Sequence, residues 1–226
     1  MKLLLTSAGV GNATIHQALL DLLGKPISEA SALCIPTAMY AHPMVGPGTR
    51  PWEFVAGRAE LPMVDLGWRS VGLLELTALP SLDRDLWEPV VRDADVLLAA
   101  GGDVLYLAHW MRESGLADLL PSLDAVWVGL SAGSMVMTPR VGDDFVQWRP
   151  PGRPDDDSTL GLVDFAICPH LAVDGRPGNS MAEAEAWAAG IDGPAYAVDD
   201  ETALVVVDGE VEVVSEGTWR RFEPPV

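Results

Sequence analysis

The sequence predicts an α/β fold with a mostly parallel central sheet and helices on both faces. Over roughly the first 130 residues, short apolar runs alternate with helical patterns, which is the signature of βα units. The apolar runs lack the polar alternation of a sheet that is solvated on one side, so both faces are expected to be covered. Two later apolar runs joined by Asp208-Gly209 predict a C-terminal β-hairpin, because Asp-Gly suits a two-residue turn.

The strands of the parallel sheet are expected at Lys2–Ser7, Ala32–Thr37, Val71–Leu76, Val96–Ala100 and Ala125–Leu130. Each is a nearly continuous apolar run, so all of them are expected in the central part of the sheet. Later strands are expected at Leu162–Cys168, Ala203–Val207 and Val211–Val214.

Helical patterns separate these strands and cover Asn12–Leu23, Pro51–Glu60, Leu82–Arg92, Leu105–Leu119 and a segment around Met181–Ala189. Gly24 and Gly115 are candidate helix stops or internal weak points of a helix. The stretch Thr138–Leu160 is rich in Pro, Gly, Asp and Arg and predicts a long loop, a feature that is often functional. Its run Asp155–Asp157 is predicted to be solvated, with metal binding as the alternative.

Length and composition predict one domain that spans residues 1–226. Apolar residues make up 49% of the chain and charged residues 21%, which is the balance of a protein with a packed core. The chain has 33 acidic and 14 basic residues, which gives a formal net charge of −19. Such a surface repels phosphate backbones and anionic lipid, so nucleic acids and membranes are not expected as partners.

The sequence also predicts a cytoplasmic protein. Its two cysteines, Cys34 and Cys168, lie in apolar runs, which indicates buried reduced thiols rather than a disulfide or a zinc site. The apolar stretch at the N-terminus is too short for a signal peptide, and no segment reaches the ~20 apolar residues of a membrane span.

The strongest chemical signal is the segment Gly129–Gly133, whose sequence is Gly-Leu-Ser-Ala-Gly. It follows an apolar strand and opens a helical segment, which is the context of a nucleophile elbow with Ser131 as the nucleophile. Small residues are needed on both sides because larger side chains would collide with the strand and the helix. A plain tight turn between strand and helix is the alternative for this segment taken alone.

A second glycine turn, Gly101–Asp103, follows the expected strand that precedes the elbow strand in the chain. Adjacent parallel strands end at the same sheet edge, so Gly101-Gly102 can present a backbone N–H beside Ser131. An oxyanion-hole role is therefore reasonable, with a phosphate-binding loop or a plain turn as alternatives. No Lys-Ser/Thr follows the glycines, which removes the Walker interpretation.

A serine nucleophile needs a general base, and the sequence offers four histidines. His16 and His109 lie in helical patterns, and His42 lies in a Pro/Gly-rich segment. His170 follows an apolar strand, at the sheet edge where Ser131 is also expected. His170 is therefore the candidate base, against the alternative of a capping or loop histidine.

The acidic cluster Asp199–Glu201 follows another short apolar run and offers a third group, which would fix the imidazole tautomer. An ordinary acidic turn before the hairpin is the alternative. The chain order of serine, histidine and acid differs from the order of serine, acid and histidine in α/β-hydrolases, so that fold is disfavoured.

At these residues the sequence resembles the peptidase E family of serine peptidases, which is related in fold to class I glutamine amidotransferases and to cyanophycinases. The matching parts are Gly101–Asp103, where the family usually has Gly-Asn-Thr, then Gly129–Gly133, Pro169-His170 and Val198–Ala203. The resemblance covers most of the chain. It implies a class I glutamine amidotransferase-like fold and a peptidase that requires no cofactor and no metal.

The resemblance also implies roles for individual residues: Ser131 as nucleophile, His170 as base, and Gly102 with Ala132 as backbone oxyanion donors. The third acid of the family is usually Glu, and its position falls here on Asp200, with Asp199 and Glu201 in reserve. Asp143 or Asp144, in the loop after the elbow, is another candidate position for the acid.

Specificity is expected to depart from that of some relatives. Those that cleave N-terminal aspartyl dipeptides carry an Arg at the start of the helix after the histidine, and Met181 occupies that position here. Strict Asp-X specificity is therefore not expected. Asp103 and Arg176 are weaker candidates for contact with substrate, since Arg176 lies only a few residues before Met181.

The expected function is the hydrolysis of small, dipeptide-sized peptides through an acyl-enzyme, with a homodimer left open. Two alternatives remain: an amidotransferase-like module that binds a small molecule without hydrolysis, and an esterase or amidase that acts on a small non-peptide substrate. Amidotransferases use Cys at the elbow, where this chain has Ser131.

Overall fold

The computed structural model describes residues 1–43, 45, 48–153, 156–172 and 180–224. Its strands are β1 Lys2–Thr6, β2 Ser31–Ile35, β3 Ser70–Leu73, β4 Val96–Ala99, β5 Val126–Leu130, β6 Ala166–Cys168, β7 Ala195–Val198, β8 Thr202–Val207, β9 Glu210–Ser215 and β10 Trp219–Phe222. Its helices are α1 Ala13–Leu23, α2 Thr49–Val55, α3 Arg84–Arg92, α4 Val104–Glu113, α5 Leu116–Leu119, α6 Ala132–Met135 and α7 Met181–Ala188.

The main sheet has seven strands in the order β3-β2-β4-β5-β1-β8-β9. The strands from β3 to β1 pair in parallel, and β8 and β9 add an antiparallel end. This is the predicted α/β fold, and the predicted hairpin joins β8 to β9. Asp208 and Gly209 both adopt positive φ, 52° and 85°, as a mirror-type two-residue turn requires.

Both faces of the parallel sheet are covered, because successive strand residues belong to different core clusters. On β4, Leu97 packs into the cluster that contains α3 and α4, whereas Leu98 packs into the cluster that contains α1. The alternation explains why the strands read as continuous apolar runs. No helix in the described part of the chain is long and apolar enough to cross a lipid bilayer.

A smaller sheet, in the order β10-β7-β6, holds the strand that leads to His170. The sequence prediction extended this strand over Leu162–Cys168 and assigned it to the same sheet edge as Ser131. The observed strand, β6, is shorter and lies in the separate sheet, and β10 was not predicted at all. A run of apolar residues indicates burial, but it does not indicate which sheet provides the partner.

Two further expectations were wrong in detail. The strand expected at Val71–Leu76 is not central, since β3 is an edge strand on which Val71 and Leu73 are exposed. The helix expected over Leu105–Leu119 is not continuous: it is interrupted at Gly115, the candidate stop or weak point, which adopts a φ of 77° and separates α4 from α5. In both places the sequence remains apolar, so its pattern shows neither the edge position of the strand nor the break in the helix.

Candidate active site

Ser131 occupies a strained turn between β5 and α6. Its φ of 50° and ψ of −108° are rare for a residue other than glycine, and such strain concentrates at functional sites. The Ser131 N–H donates to the carbonyl of Thr6 at 3.0 Å, which fixes the turn to the end of β1. This is the geometry that a nucleophile elbow requires.

The two glycines of the elbow are required by close backbone contacts. A Cβ on Gly129 would lie 2.3 Å from the carbonyl oxygen of Gly133, and a Cβ on Gly133 would lie 2.3 Å from that of Ala99. Neither contact is possible for a real side chain. The indole N–H of Trp127 also donates to the Gly133 carbonyl at 2.8 Å. The spacing of glycines in the sequence therefore reflects the packing of the turn.

The second glycine turn lies directly beside the elbow. A Cβ on Gly101 would be 3.4 Å from the Cβ of Ser131, and one on Gly102, which has a φ of 142°, would be 2.3 Å from the Ala38 carbonyl oxygen. Among the described residues, no acceptor is hydrogen-bonded to the N–H of Gly102 or of Ala132. Two N–H donors beside Ser131 thus remain available to a substrate oxygen.

His170 follows β6 and faces a carboxylate. Its Nδ1 lies 2.7 Å from Oδ1 of Asp200, and the residue is 9% exposed. A carboxylate on Nδ1 favours the tautomer with the proton on that nitrogen, which leaves the lone pair of Nε2 as the basic site. The pair therefore has the arrangement of a general base with its orienting acid.

The neighbouring acids of the turn have other partners. Asp199 Oδ1 accepts from the hydroxyl of Thr202 at 2.7 Å, and its Oδ2 accepts from the backbone of Thr218. The Glu201 side chain accepts from Asn12 at 2.9 Å. Asp200 alone of the three acids in this turn is hydrogen-bonded to the His170 ring in the described structure.

The alternative acids in the loop after the elbow lie in a short 3-10 turn, Asp143–Phe145, and both are exposed. Asp144 is close enough to Cys168 to contribute to the raised pKa of that thiol. The Nδ1 position of His170 is already occupied by Asp200. The geometry thus favours Asp200 over Asp143 and Asp144.

The predicted contact between the nucleophile and the base is not made in this structure, since Ser131 Oγ forms no hydrogen bond within the described residues. Catalytic hydrogen bonds are often long without substrate and tighten when it binds. The two residues are instead linked through the end of β1. The Ser131 N–H donates to the Thr6 carbonyl, and the hydroxyl of the next residue, Ser7, accepts from the His170 N–H. Sequence reasoning missed Ser7, because a single serine at a strand end carries no motif.

Asp103 is a structural carboxylate rather than an open substrate contact. It is 3% exposed and caps α4, with Oδ1 accepting from the N–H of Tyr106 at 2.8 Å. Its Oδ2 accepts from the N–H of Trp148 at 2.8 Å, which ties the loop after the elbow to the glycine turn. Burial raises the pKa of the Asp103 carboxyl, against the opposing effect of these donors. This placement does not favour the predicted contact with substrate.

The loop after the elbow is also held from its other side. Asp157 accepts from Arg140 at 3.0 Å and from the N–H of Gly142 at 2.9 Å. The Trp187 indole of α7 donates to the Val141 carbonyl at 2.8 Å. The acidic run Asp155–Asp157 was predicted to be solvated, but Asp156 and Asp157 are partly buried and hydrogen-bonded to protein groups, and Asp155 lies outside the described residues.

The residues expected to decide specificity are only partly described. Met181 begins α7, behind the capping box of Ser180 and Glu183, and packs against the core cluster below the small sheet. Arg176 lies outside the described residues. At the start of α7 this chain therefore has an apolar side chain directed into packing.

Neither cysteine is suited to be the nucleophile. Both are buried, and burial raises the pKa of Cys34 to about 11 and that of Cys168 to about 12. The reactive form of cysteine is the thiolate, which such values suppress near neutral pH. The hydroxyl at the elbow is the remaining candidate.

Comparison with known proteins gives the family of the chain. The model of peptidase family S51 matches residues 3–214. The chain belongs to peptidase family S51. Within the S51 family, the curated peptidase E of Shewanella baltica (strain OS195) is 27% identical over 161 residues, an alignment that covers 64% of each chain. The match thus spans less than two thirds of the length of that relative.

Solved structures show the same fold. A Listeria monocytogenes EGD-e protein described as a candidate peptidase E matches with a TM-score of 0.67 and 15% identity, covering 96% of this chain and 98% of its own. A peptidase from an acI-B1 actinobacterium matches with a TM-score of 0.67 and 18% identity, covering 99% and 94%. The resemblance to peptidase E inferred from the motifs is thereby confirmed, as is the fold class.

Proposed function

We propose that this S51 member is a serine peptidase that hydrolyses short peptides through an acyl-enzyme, with Ser131, His170 and Asp200 as its catalytic groups. The observation that carries the proposal is the strained Ser131 turn, held by two obligatory glycines beside the Gly102 and Ala132 N–H groups. A turn with only a structural role has no need of a hydroxyl at its one strained, non-glycine position.

In the proposed reaction, the same groups act first in acylation and then in hydrolysis of the acyl-enzyme. His170 Nε2 takes the Ser131 proton as Oγ attacks the scissile carbonyl carbon, and the oxyanion accepts from the Gly102 and Ala132 N–H groups. The C–N bond then breaks, and the amine leaves with the proton from Nε2. Water attacks the acyl-enzyme by the same route and releases the acid and Ser131. Asp200 stabilises the transient imidazolium and keeps its own charge.

Short substrates are favoured by the way the loop after the elbow is fastened. Asp103 ties Trp148 to the glycine turn, and the Trp187 indole ties Val141 to α7. The loop that follows the elbow is thus anchored at two points, and we expect this fixed loop to leave little room for a long chain. A dipeptide or tripeptide needs no such room.

A neutral N-terminal residue in the substrate is favoured by Met181. An aspartyl side chain that enters a closed site loses water and needs fixed donors, or it costs several kcal/mol. Met181 offers none, and the formal net charge of −19 adds a long-range penalty for anions that salt screens over ~10 Å. We expect Ala-Leu and Leu-Leu to be cleaved at least as well as Asp-Leu.

The test compares kcat/KM for Asp-Leu, Ala-Leu and Leu-Leu, with Ser131→Ala as the blank for each peptide. A preference for Asp-Leu above ~100-fold, about 2.7 kcal/mol of transition-state binding, would contradict the proposed specificity and direct attention to Arg176 or another arginine. Turnover of small esters without cleavage of any peptide would overturn the peptidase proposal itself.

A further inference from the structure

The end of β1 connects the two halves of the site. The Thr6 carbonyl accepts the Ser131 N–H at 3.0 Å and the Ser134 hydroxyl at 2.7 Å, so it is fixed to the elbow. The next residue, Ser7, is fully buried. One peptide unit therefore separates a group that binds the elbow from a side chain that contacts the base.

The Ser7 hydroxyl contacts both members of the histidine–acid pair. Its Oγ accepts from the backbone N–H of His170 at 2.6 Å and donates to Oδ1 of Asp200 at 2.9 Å. The same oxygen lies 3.3 Å from His170 Nδ1. A hydroxyl has one proton to donate, and here that proton is directed to the carboxylate that faces the imidazole.

The backbone of His170 requires such support. Its φ of 61° lies in the left-handed region, which is unfavourable for a residue with a Cβ. The Ser7 hydroxyl holds its N–H, and the Leu171 N–H donates to the Val198 carbonyl at 3.0 Å. The strained histidine is thus fixed to the ends of β1 and β7, the second of which leads to Asp200.

We propose that Ser7 is a positioning residue that sets the His170–Asp200 pair in register with the Ser131 elbow. This inference rests on the proposed function. By donating to Oδ1, Ser7 holds the carboxylate in the rotamer that accepts from Nδ1, and by accepting from the His170 N–H it fixes the strained backbone. Ser7 transfers no proton and touches no substrate in this account.

The ordinary alternative is that Ser7 only satisfies a buried N–H. The two roles differ in their dependence on Asp200. A residue that acts through the carboxylate loses its effect when the carboxylate is absent, whereas a residue that only supports the backbone keeps it. A double-mutant cycle between Ser7 and Asp200 therefore separates them.

The experiment measures kcat and KM for the parent, Ser7→Ala, Asp200→Asn and the double variant on the best peptide substrate. Ser7→Ala should lower kcat by about 10–100-fold, the range expected for a hydrogen bond to a charged group, with KM within about 2-fold. In the Asp200→Asn background the same change should cost less than about 3-fold, because coupled residues are not additive. Equal losses in both backgrounds would overturn the proposal.

Two controls exclude a loss of folding. Ser114→Ala removes another buried hydroxyl, which bonds only within its own turn, and should leave kcat unchanged. Ser7→Cys keeps the size of the side chain but weakens its donor, so its kcat should lie between those of the parent and Ser7→Ala. A Cys variant that is as impaired as the Ala variant but has an intact thermal transition would also support the role of the Ser7 hydroxyl as a donor. A Cys variant with the kcat of the parent would contradict that role.

The proton NMR signal of the His170 Nδ1–H provides a readout independent of turnover. Loss of the Ser7 donor should shift this low-field resonance, and Ser114→Ala should not. If the parent cleaves no peptide and reacts with no serine probe, the proposed function fails, and the NMR shift still decides whether Ser7 positions the pair. An unshifted resonance in Ser7→Ala would overturn the positioning role.

Discussion

The two halves of the candidate site are specified in different ways. The elbow half, with Ser131 and Gly102, is built from two short turns at the ends of adjacent strands of the main sheet. In the other half, His170 follows β6 and Asp200 follows β7 of the smaller sheet. The contacts of this half join residues far apart in the chain. Local sterics define the first half, and tertiary contacts define the second.

This difference has a practical consequence for substitutions. In the elbow half, backbone oxygens lie where a Cβ would be, so even an alanine must move the main chain. In the other half, isosteric changes fit the space and remove only charge or a hydrogen bond. We therefore expect changes in the elbow half to affect both stability and activity, and isosteric changes in the histidine half to affect activity alone.

The largest effect among the isosteric substitutions is expected for Asp200→Asn. The amide keeps the shape but favours the wrong imidazole tautomer, and in a well-studied serine triad such a change lowers turnover by up to ~10⁴-fold. Steady-state kcat and thermal unfolding, measured together, check it. Turnover should fall steeply while the unfolding temperature changes little.

Glu201→Gln is the matched control, because Glu201 is the adjacent acid and its side chain bonds to Asn12 rather than to His170. It should leave kcat within about 3-fold of the parent, as surface changes usually do. A steep loss in Glu201→Gln with normal turnover in Asp200→Asn would show that a different acid orients the base.

A smaller loss of turnover, joined to a loss of stability, is expected for Gly102→Ala. The added Cβ would meet the Ala38 carbonyl oxygen at 2.3 Å, so the turn must shift and carry the Gly102 N–H with it. Loss of one oxyanion donor lowers kcat by about 10²–10³-fold in a serine protease. The strained φ of 142° should also lower the free energy of unfolding.

Gly24→Ala separates these two effects. Gly24 also has a positive φ, 66°, but a Cβ there meets nothing within 4 Å. It should therefore lower the free energy of unfolding by about 1 kcal/mol, from backbone strain, and leave kcat unchanged. If Gly102→Ala behaves in the same way, the N–H of Gly102 has no part in the reaction.

The same contrast explains how much of the fold was predictable. The parallel strands and the β8–β9 hairpin follow from apolar runs and from Asp208-Gly209, which are local signals. The separate sheet of β6, β7 and β10 does not, because burial looks alike in either sheet. The edge position of β3 was missed for a similar reason, since Val71 and Leu73 are apolar but exposed.

Within the site, sequence motifs placed Ser131 and the glycine turn because steric demands leave a visible pattern. The choice among the acids of the turn depends on which side chain contacts His170, a residue 30 positions earlier in the chain in the case of Asp200. The residue pattern alone did not decide this choice, and only the family resemblance favoured Asp200. The contacts of Ser7 and the hydrogen bond from the Trp148 N–H to Asp103 were not predictable. Both depend on hydrogen bonds between segments far apart in the chain, and such contacts produce no recognisable pattern of residue spacing.

The most direct test of Ser131 as the nucleophile and His170 as its base is the site and rate of labelling by a fluorophosphonate, measured by mass spectrometry of the digested protein. We expect one adduct, on Ser131, that is absent in Ser131→Ala and forms at least ~10²-fold more slowly in His170→Ala, because the hydroxyl needs its general base. An adduct on another residue, or an unchanged rate in His170→Ala, would contradict it.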